Sequence, residues 1–281
     1  MFLANSACLS DQQCGVIDRF VHNGGTLIAT HQTSLLDELG EERGNFGLAE
    51  LCGLDYAGPA ADGKDHAVAY VLQDEALASE FGPFMCFTGR VSKVVPKQGM
   101  ELEVLATRCS IEGPNPVDHY DPNGEFDSGE PVITVRQVGA GQAIYINGDV
   151  GGSFERNPYP ALKRFVARIV ERVPPPIAIQ APKTVEVTAA VRESGELLVH
   201  LINNPAPHLP NSIGGAAATH FFVEEVTPVH DIEIRFNDFD VAEARLPLAG
   251  VELEVSGKVP AVTVPRVDLH EVVVVDLKET V

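Results

Sequence analysis

Residues 10–30 read SDQQCGVIDRFVHNGGTLIAT, and this run decides the fold of the first half of the chain. Ser10 and Gln13 stand three residues apart, the spacing of a capping box, in which two side chains satisfy orphan amides at a helix start. Cys14, Ile17, Phe20 and Val21 recur at helical spacing, which predicts one apolar face on a helix over 11–23. Asn23-Gly24-Gly25 then supplies a left-handed stop, where a side chain would be costly. Thr26 to Thr30 is a short apolar run of strand type, and Met1 to Ala7 reads as a strand ahead of the helix. Strand, helix, Gly-Gly turn and strand make a βαβ unit, so a parallel sheet is the expected outcome.

Working outward, short helices are predicted over 46–52 and 74–81, and strands over 68–72, 90–95 and 101–107. The polar, Pro- and Gly-rich stretch from Ile111 to Glu130 reads as a loop. Val132 to Val135 and Ala143 to Ile146 flank Gly139-Ala140-Gly141, the pattern of a hairpin, and a helix follows over 159–172. Pro174-Pro175-Pro176 marks the boundary between a domain over 1–173 and another over 174–281, because three prolines cannot continue a helix. Beyond it the pattern is wholly β. Val185 to Thr188, Leu197 to Ile202, Ile232 to Phe236 and Val251 to Val255 alternate, and Val272 to Val275 is continuously apolar. A sandwich is expected there, with Asn203 to Thr219 as a long loop.

The 281 residues are 44% hydrophobic, enough for two buried cores, and carry a formal charge of −20. So negative a surface repels phosphate backbones and anionic lipid, which argues against nucleic acid and membrane partners and tolerates neutral sugars. No apolar run approaches the roughly 20 residues of a membrane span, and the N-terminus does not read as a secretion signal. Five scattered cysteines, none in a CxxC pair, suit buried thiols in a reducing compartment, so a cytoplasmic location is expected.

Three segments carry a resemblance: Leu9 to Gln13, Phe20 to Thr30 and Thr33 to Glu38. They resemble the β-galactosidase trimerisation domain, which implies an α/β flavodoxin-like (class I glutamine amidotransferase-like) fold. Gly139 to Tyr145 and Gly148 to Gly151 look like its closing hairpin. Val199 to Asn204, Val226 to Asp231 and Val264 to Glu271 look like the small all-β domain that follows it. The resemblance implies a TIM barrel ahead of these domains, contributing the catalytic carboxylates, and neither it nor the first strand and helix of the flavodoxin-like domain has a counterpart in this sequence. The expectation is therefore a non-catalytic accessory and oligomerisation portion of a β-galactosidase-like glycoside hydrolase, a truncated or split product. Its partners would be further copies of itself or a chain carrying the barrel, with carbohydrate as the ligand class.

No catalytic residue is assigned. The amidotransferase-like alternative needs a nucleophile on a tight strand-to-helix turn, and Cys8 has no glycine elbow around it. His31, Thr33, Ser34 and Asp37 read as a polar loop at the carboxyl edge of the sheet, where ligands bind in such folds. Counted from His119, the acidic loop places Asp121, Asn123, Asp127 and Glu130 near calcium-loop spacing, with Gly124 at the sixth place. Calcium is thus the one candidate cofactor, against the plainer reading of a solvated acidic turn. His200, His230 and His270 are read as structural. The absence of Trp counts against a strong carbohydrate-binding module.

Overall fold

The structure, a computed structural model, describes residues 1–59, 66–109, 127–173, 175–205 and 225–278. These divide into two compact units, one spanning Met1–Val170 and the other beginning at Glu171.

In the first unit β1 (Phe2–Leu3), α1 (Asp11–His22) and β2 (Thr26–Thr30) form the expected βαβ, with Phe2 opposite Ile28 in parallel pairing. The capping box is complete. Gln13 N donates to Ser10 Oγ at 3.2 Å, and Ser10 N donates to Gln13 Oε1 at 2.8 Å. Helix α1 buries Cys14, Ile17 and Val21. There follow α2 (Ala49–Cys52), β3 (Leu54–Pro59), β4 (His66–Leu72), α3 (Glu75–Phe81), β5 (Phe84–Gly89) and β6 (Ser92–Pro96). After these come β7 (Glu103–Cys109), β8 (Asp127–Val138), β9 (Gly141–Ile146), α4 (Val150–Arg156) and α5 (Pro160–Val170).

Seven strands join one sheet in the order β1-β2-β9-β8-β7-β4-β5, and β3 pairs with β6 apart from it. The expected parallel sheet is confined to β1, β2 and β9; every other pairing is antiparallel. The reason is the connections. A tight turn such as Gly139-Ala140 joins only antiparallel neighbours, whereas parallel ones need a crossover, and α1 supplies the one between β1 and β2. The predicted loop from Ile111 to Glu130 also needs correction. Strand β8 begins at Asp127, because β7 extends to Cys109 and offers it a backbone partner. Residues 110–126, with Asp121 and Asn123, lie outside the described residues.

Gly141 holds the hairpin against the βαβ unit. A Cβ there would run into the carbonyl oxygens of Gly25 and Val21, so the absence of a side chain lets β9 approach the end of α1. The core beneath contains Leu27, Ala29, Leu35, Leu51, Leu54 and Tyr145.

The second unit is all-β: β10 (Ile177–Gln180), β11 (Val185–Val191), β12 (Leu197–Asn203), β13 (Val229–Phe236), β14 (Val241–Leu246), β15 (Val251–Leu253), β16 (Ala261–Val267) and β17 (His270–Leu277). They form a three-stranded sheet, β10-β13-β16, and a five-stranded one, β11-β12-β17-β14-β15. One core draws on both sheets: Leu197, Val199 and Leu201 with Val273 and Val275 from the larger, Ile232, Ile234, Phe236 and Val264 from the smaller. Of the predicted loop from Asn203 to Thr219, residues 206–219 lie outside the described residues.

Candidate functional site

The parallel strands β1, β2 and β9 end at a cluster of polar side chains in the first unit. Thr30 closes β2, His31, Thr33 and Ser34 follow it, and all four are nearly or wholly buried. Asn147, Gly148 and Asp149 follow β9. Asn5, His31 and Ser34 all hold positive φ, at 50°, 50° and 65°. Non-glycine residues enter this region only where surrounding bonds compel them. Those bonds are present: His31 N donates to Ile146 O at 2.9 Å, and Tyr145 Oη donates to His31 O at 2.6 Å.

Of the four loop residues singled out from sequence, three build the loop itself. Thr33 Oγ1 donates to Thr30 O at 2.7 Å, Ser34 Oγ accepts from Leu48 N at 3.1 Å, and Asp37 Oδ1 accepts from Leu39 N and Glu41 N, each at 2.9 Å. Their oxygens are engaged with backbone rather than directed at a ligand. His31 differs. Its ring is 4% exposed, and Nδ1 is buried with no hydrogen-bond partner. Burial pushes its pKa down, the nearby Asp149 carboxylate pulls it up, and Arg90 pushes it down again. The ring is therefore held neutral. A buried lone pair is tolerated better than an orphan N–H, which favours the tautomer with its proton on Nε2.

Residues that sequence reasoning did not single out complete this edge. Asn147 Nδ2 donates to Ser92 O at 2.7 Å, and its Oδ1 accepts from Ser92 N at 3.0 Å. Tyr70 Oη donates to the Asn147 carbonyl. Asp149 caps α4 by accepting from Gly152 N at 3.0 Å, and Arg156 reaches Thr88 O at 3.1 Å. The signal was Asn147-Gly148-Asp149 directly after a buried strand. What it lacked was Ser92 and Tyr70, which come from distant positions in the chain.

A reactive centre does not emerge from these groups. Ser34 is fully buried, which withholds its hydroxyl from a substrate. Cys8 is exposed and makes a single bridge with Leu36. Burial pushes the Cys14 and Cys86 thiols up and the Cys52 thiol to about 12, so these three stay protonated and unreactive. Of the calcium candidates, Asp127 Oδ2 accepts from Gln73 at 2.8 Å, and Glu130 pairs with Arg108 at 2.8 Å. Among the described residues no three His, Cys, Asp or Glu side chains converge as metal ligands.

In the second unit the structure brings His200 and His270 together and leaves His230 apart. His200 Nδ1 and His270 Nε2 are 3.1 Å apart, with ring planes 1° from parallel. Beside them a depression of about 370 Å³ is lined by Arg192, Glu196, Leu198, Arg245, Val272 and Val274. Its charges are mutually paired: Glu196 accepts from Arg245 at 2.8 Å and from Arg192 at 3.3 Å. Among the described residues no helix is long and apolar enough to cross a membrane.

No protein-family model matches the chain, and no curated protein matches it. Solved structures do. Alpha-L-fucosidase isoenzyme 2 from Paenibacillus thiaminolyticus aligns at TM-score 0.66 and 17% identity, over 99% of this chain and 40% of that one. The beta-galactosidase from Bacillus circulans sp. alkalophilus aligns at 0.56 and 17% identity, over 98% and 32%. Gan42B, a GH42 beta-galactosidase from G. stearothermophilus, aligns at 0.50 and 17% identity, over 99% and 31%. At such identities the likeness is one of fold. Nearly the whole chain, a mixed α/β sheet followed by antiparallel sheets, thus shares its fold with a third to two fifths of these glycosidase chains. The resemblance drawn from the sequence holds at that level, and no (β/α)8 barrel is found among the described residues.

Proposed function

We propose that this chain is the non-catalytic accessory and assembly portion of a β-galactosidase-like glycoside hydrolase. The observation that carries the reading is the extent of the fold match: 99% of this chain against 40% of a fucosidase and 31% of a β-galactosidase. A match that uses all of one chain and a minor part of the other is what an accessory region gives. The polar edge of the first unit supports it too, since its hydroxyls and carboxylates hold backbone together. On this reading the first unit is a flavodoxin-like, trimerisation-type domain. Catalytic carboxylates would come from a barrel on another polypeptide or another part of a longer protein.

The test is direct. Purified chain is expected to leave nitrophenyl galactosides and fucosides uncleaved above the solvent background. Turnover at enzymatic speed, abolished by one substitution within these residues, would remove the reading.

A further inference from the structure

Strand β11 ends its sheet differently from every neighbour. Its inward-facing Val187, Ala189 and Val191 stand beside Leu201, Val199 and Leu197 of β12. Those three β12 residues are 0–2% exposed, whereas Val187 is 38% and Val191 57% exposed. The core stops one strand short, because three strands face five. The β11 backbone is open as well. Asn204 N donates to Thr184 O and Arg192 N to Glu196 O, so even-numbered residues of this strand turn their amides and carbonyls toward β12. Odd-numbered Val187, Ala189 and Val191 therefore direct theirs away, to an edge where β11 has no neighbour among the described residues. Natural edges are blunted by Lys, Pro or a bulge. From Val185 to Val191 there is none of these, and one charge, Glu186.

We infer that β11 is a docking edge for β11 of a second copy of this chain, paired antiparallel about a two-fold axis through Thr188. The strand is complementary to itself in that register. Val187 meets the partner's Ala189 and Val185 meets the partner's Val191, joining the outward backbone groups. Thr188 meets its own equivalent, a favourable cross-strand pair. Glu186 falls opposite Ala190, so no like charges oppose. Beyond the strand ends, exposed Lys183 falls opposite exposed Glu193, twice by symmetry. In a chain of net charge −20, an edge with balanced charge is where two copies approach at least cost. The inference rests on the accessory and assembly reading for its biological purpose only.

Sedimentation of the full chain measures it. The parent is expected at twice the mass of Ala189→Pro, whatever assembly the first unit makes, with 30.1 kDa as the mass of one copy. That substitution removes an outward N–H and no internal bond, so the variant should keep the parent's far-UV circular dichroism. Lys183→Glu should weaken the dimer roughly fivefold to tenfold, and adding Glu193→Lys should restore it. A monomeric parent, or a dimer indifferent to Ala189→Pro, overturns the inference. The second result would leave assembly intact through another surface, whereas glycoside turnover by the chain would remove the accessory reading without touching the edge.

Discussion

The carboxyl edge of the parallel strands and the outer edge of the β-sandwich are opposites. At the first, nearly every polar atom is buried and paired, and the backbone is bent into positive φ to achieve it. At the second, apolar side chains and backbone groups lie open. Ligands favour the first kind of place in α/β folds, yet here its groups support structure. The second, which has no chemistry of its own, offers unmet bonding capacity. Polar composition marks a region as busy, and only its partners tell whether it is busy with itself or with something else.

Four measurements would break or sharpen that contrast. Gly141→Val should have the largest effect, about 3 kcal/mol or more, since a side chain there meets backbone on both sides; thermal unfolding reads it. Asn147→Leu should cost about 2–3 kcal/mol by denaturant titration, because it strands the Ser92 N–H and C=O inside the protein. The third concerns His31, whose folded pKa is held below the ordinary 6.5 chiefly by burial. The unfolded chain takes up a proton near that value before the folded chain does. Stability from this group is thus full above pH 6.5 and declines as pH falls toward the lower folded value. His31→Gln should flatten that decline in melting temperature, and an unchanged slope would mean that the ring is not held neutral. The smallest effect belongs to Val191→Ala, under about 0.5 kcal/mol, against about 2 kcal/mol for Val199→Ala on the next strand. Equal costs would show that β11 is covered after all.

Much of the architecture was legible because it is local. The capping box at Ser10 and Gln13, the Gly24-Gly25 stop and the hairpin at Gly139-Ala140 each involve residues a few positions apart, and all appear as read. Alternation likewise placed β11, β12, β13 and β15, and a continuous apolar run placed β17. Strands β3, β5, β10, β14 and β16 and the short helix α4 were missed, since short or partial patterns are ambiguous until a neighbour supplies register. At the polar edge His31 was legible as a position, but its isolation was not. Whether Ser34 Oγ serves a substrate or the Leu48 amide depends on where residue 48 lies, and no pattern around residue 34 states that.

Sequence alone determined the capped first helix, the βαβ unit around it and the change from mixed α/β to all-β near the prolines. Tertiary structure alone decided which strands run parallel, which oxygens are already bonded and which strand is left open. The physical reason is range: caps, turns and periodicity act within about one helical turn. Strand pairing and burial instead join residues as distant as Tyr70 and Asn147, whose meeting no local spacing encodes.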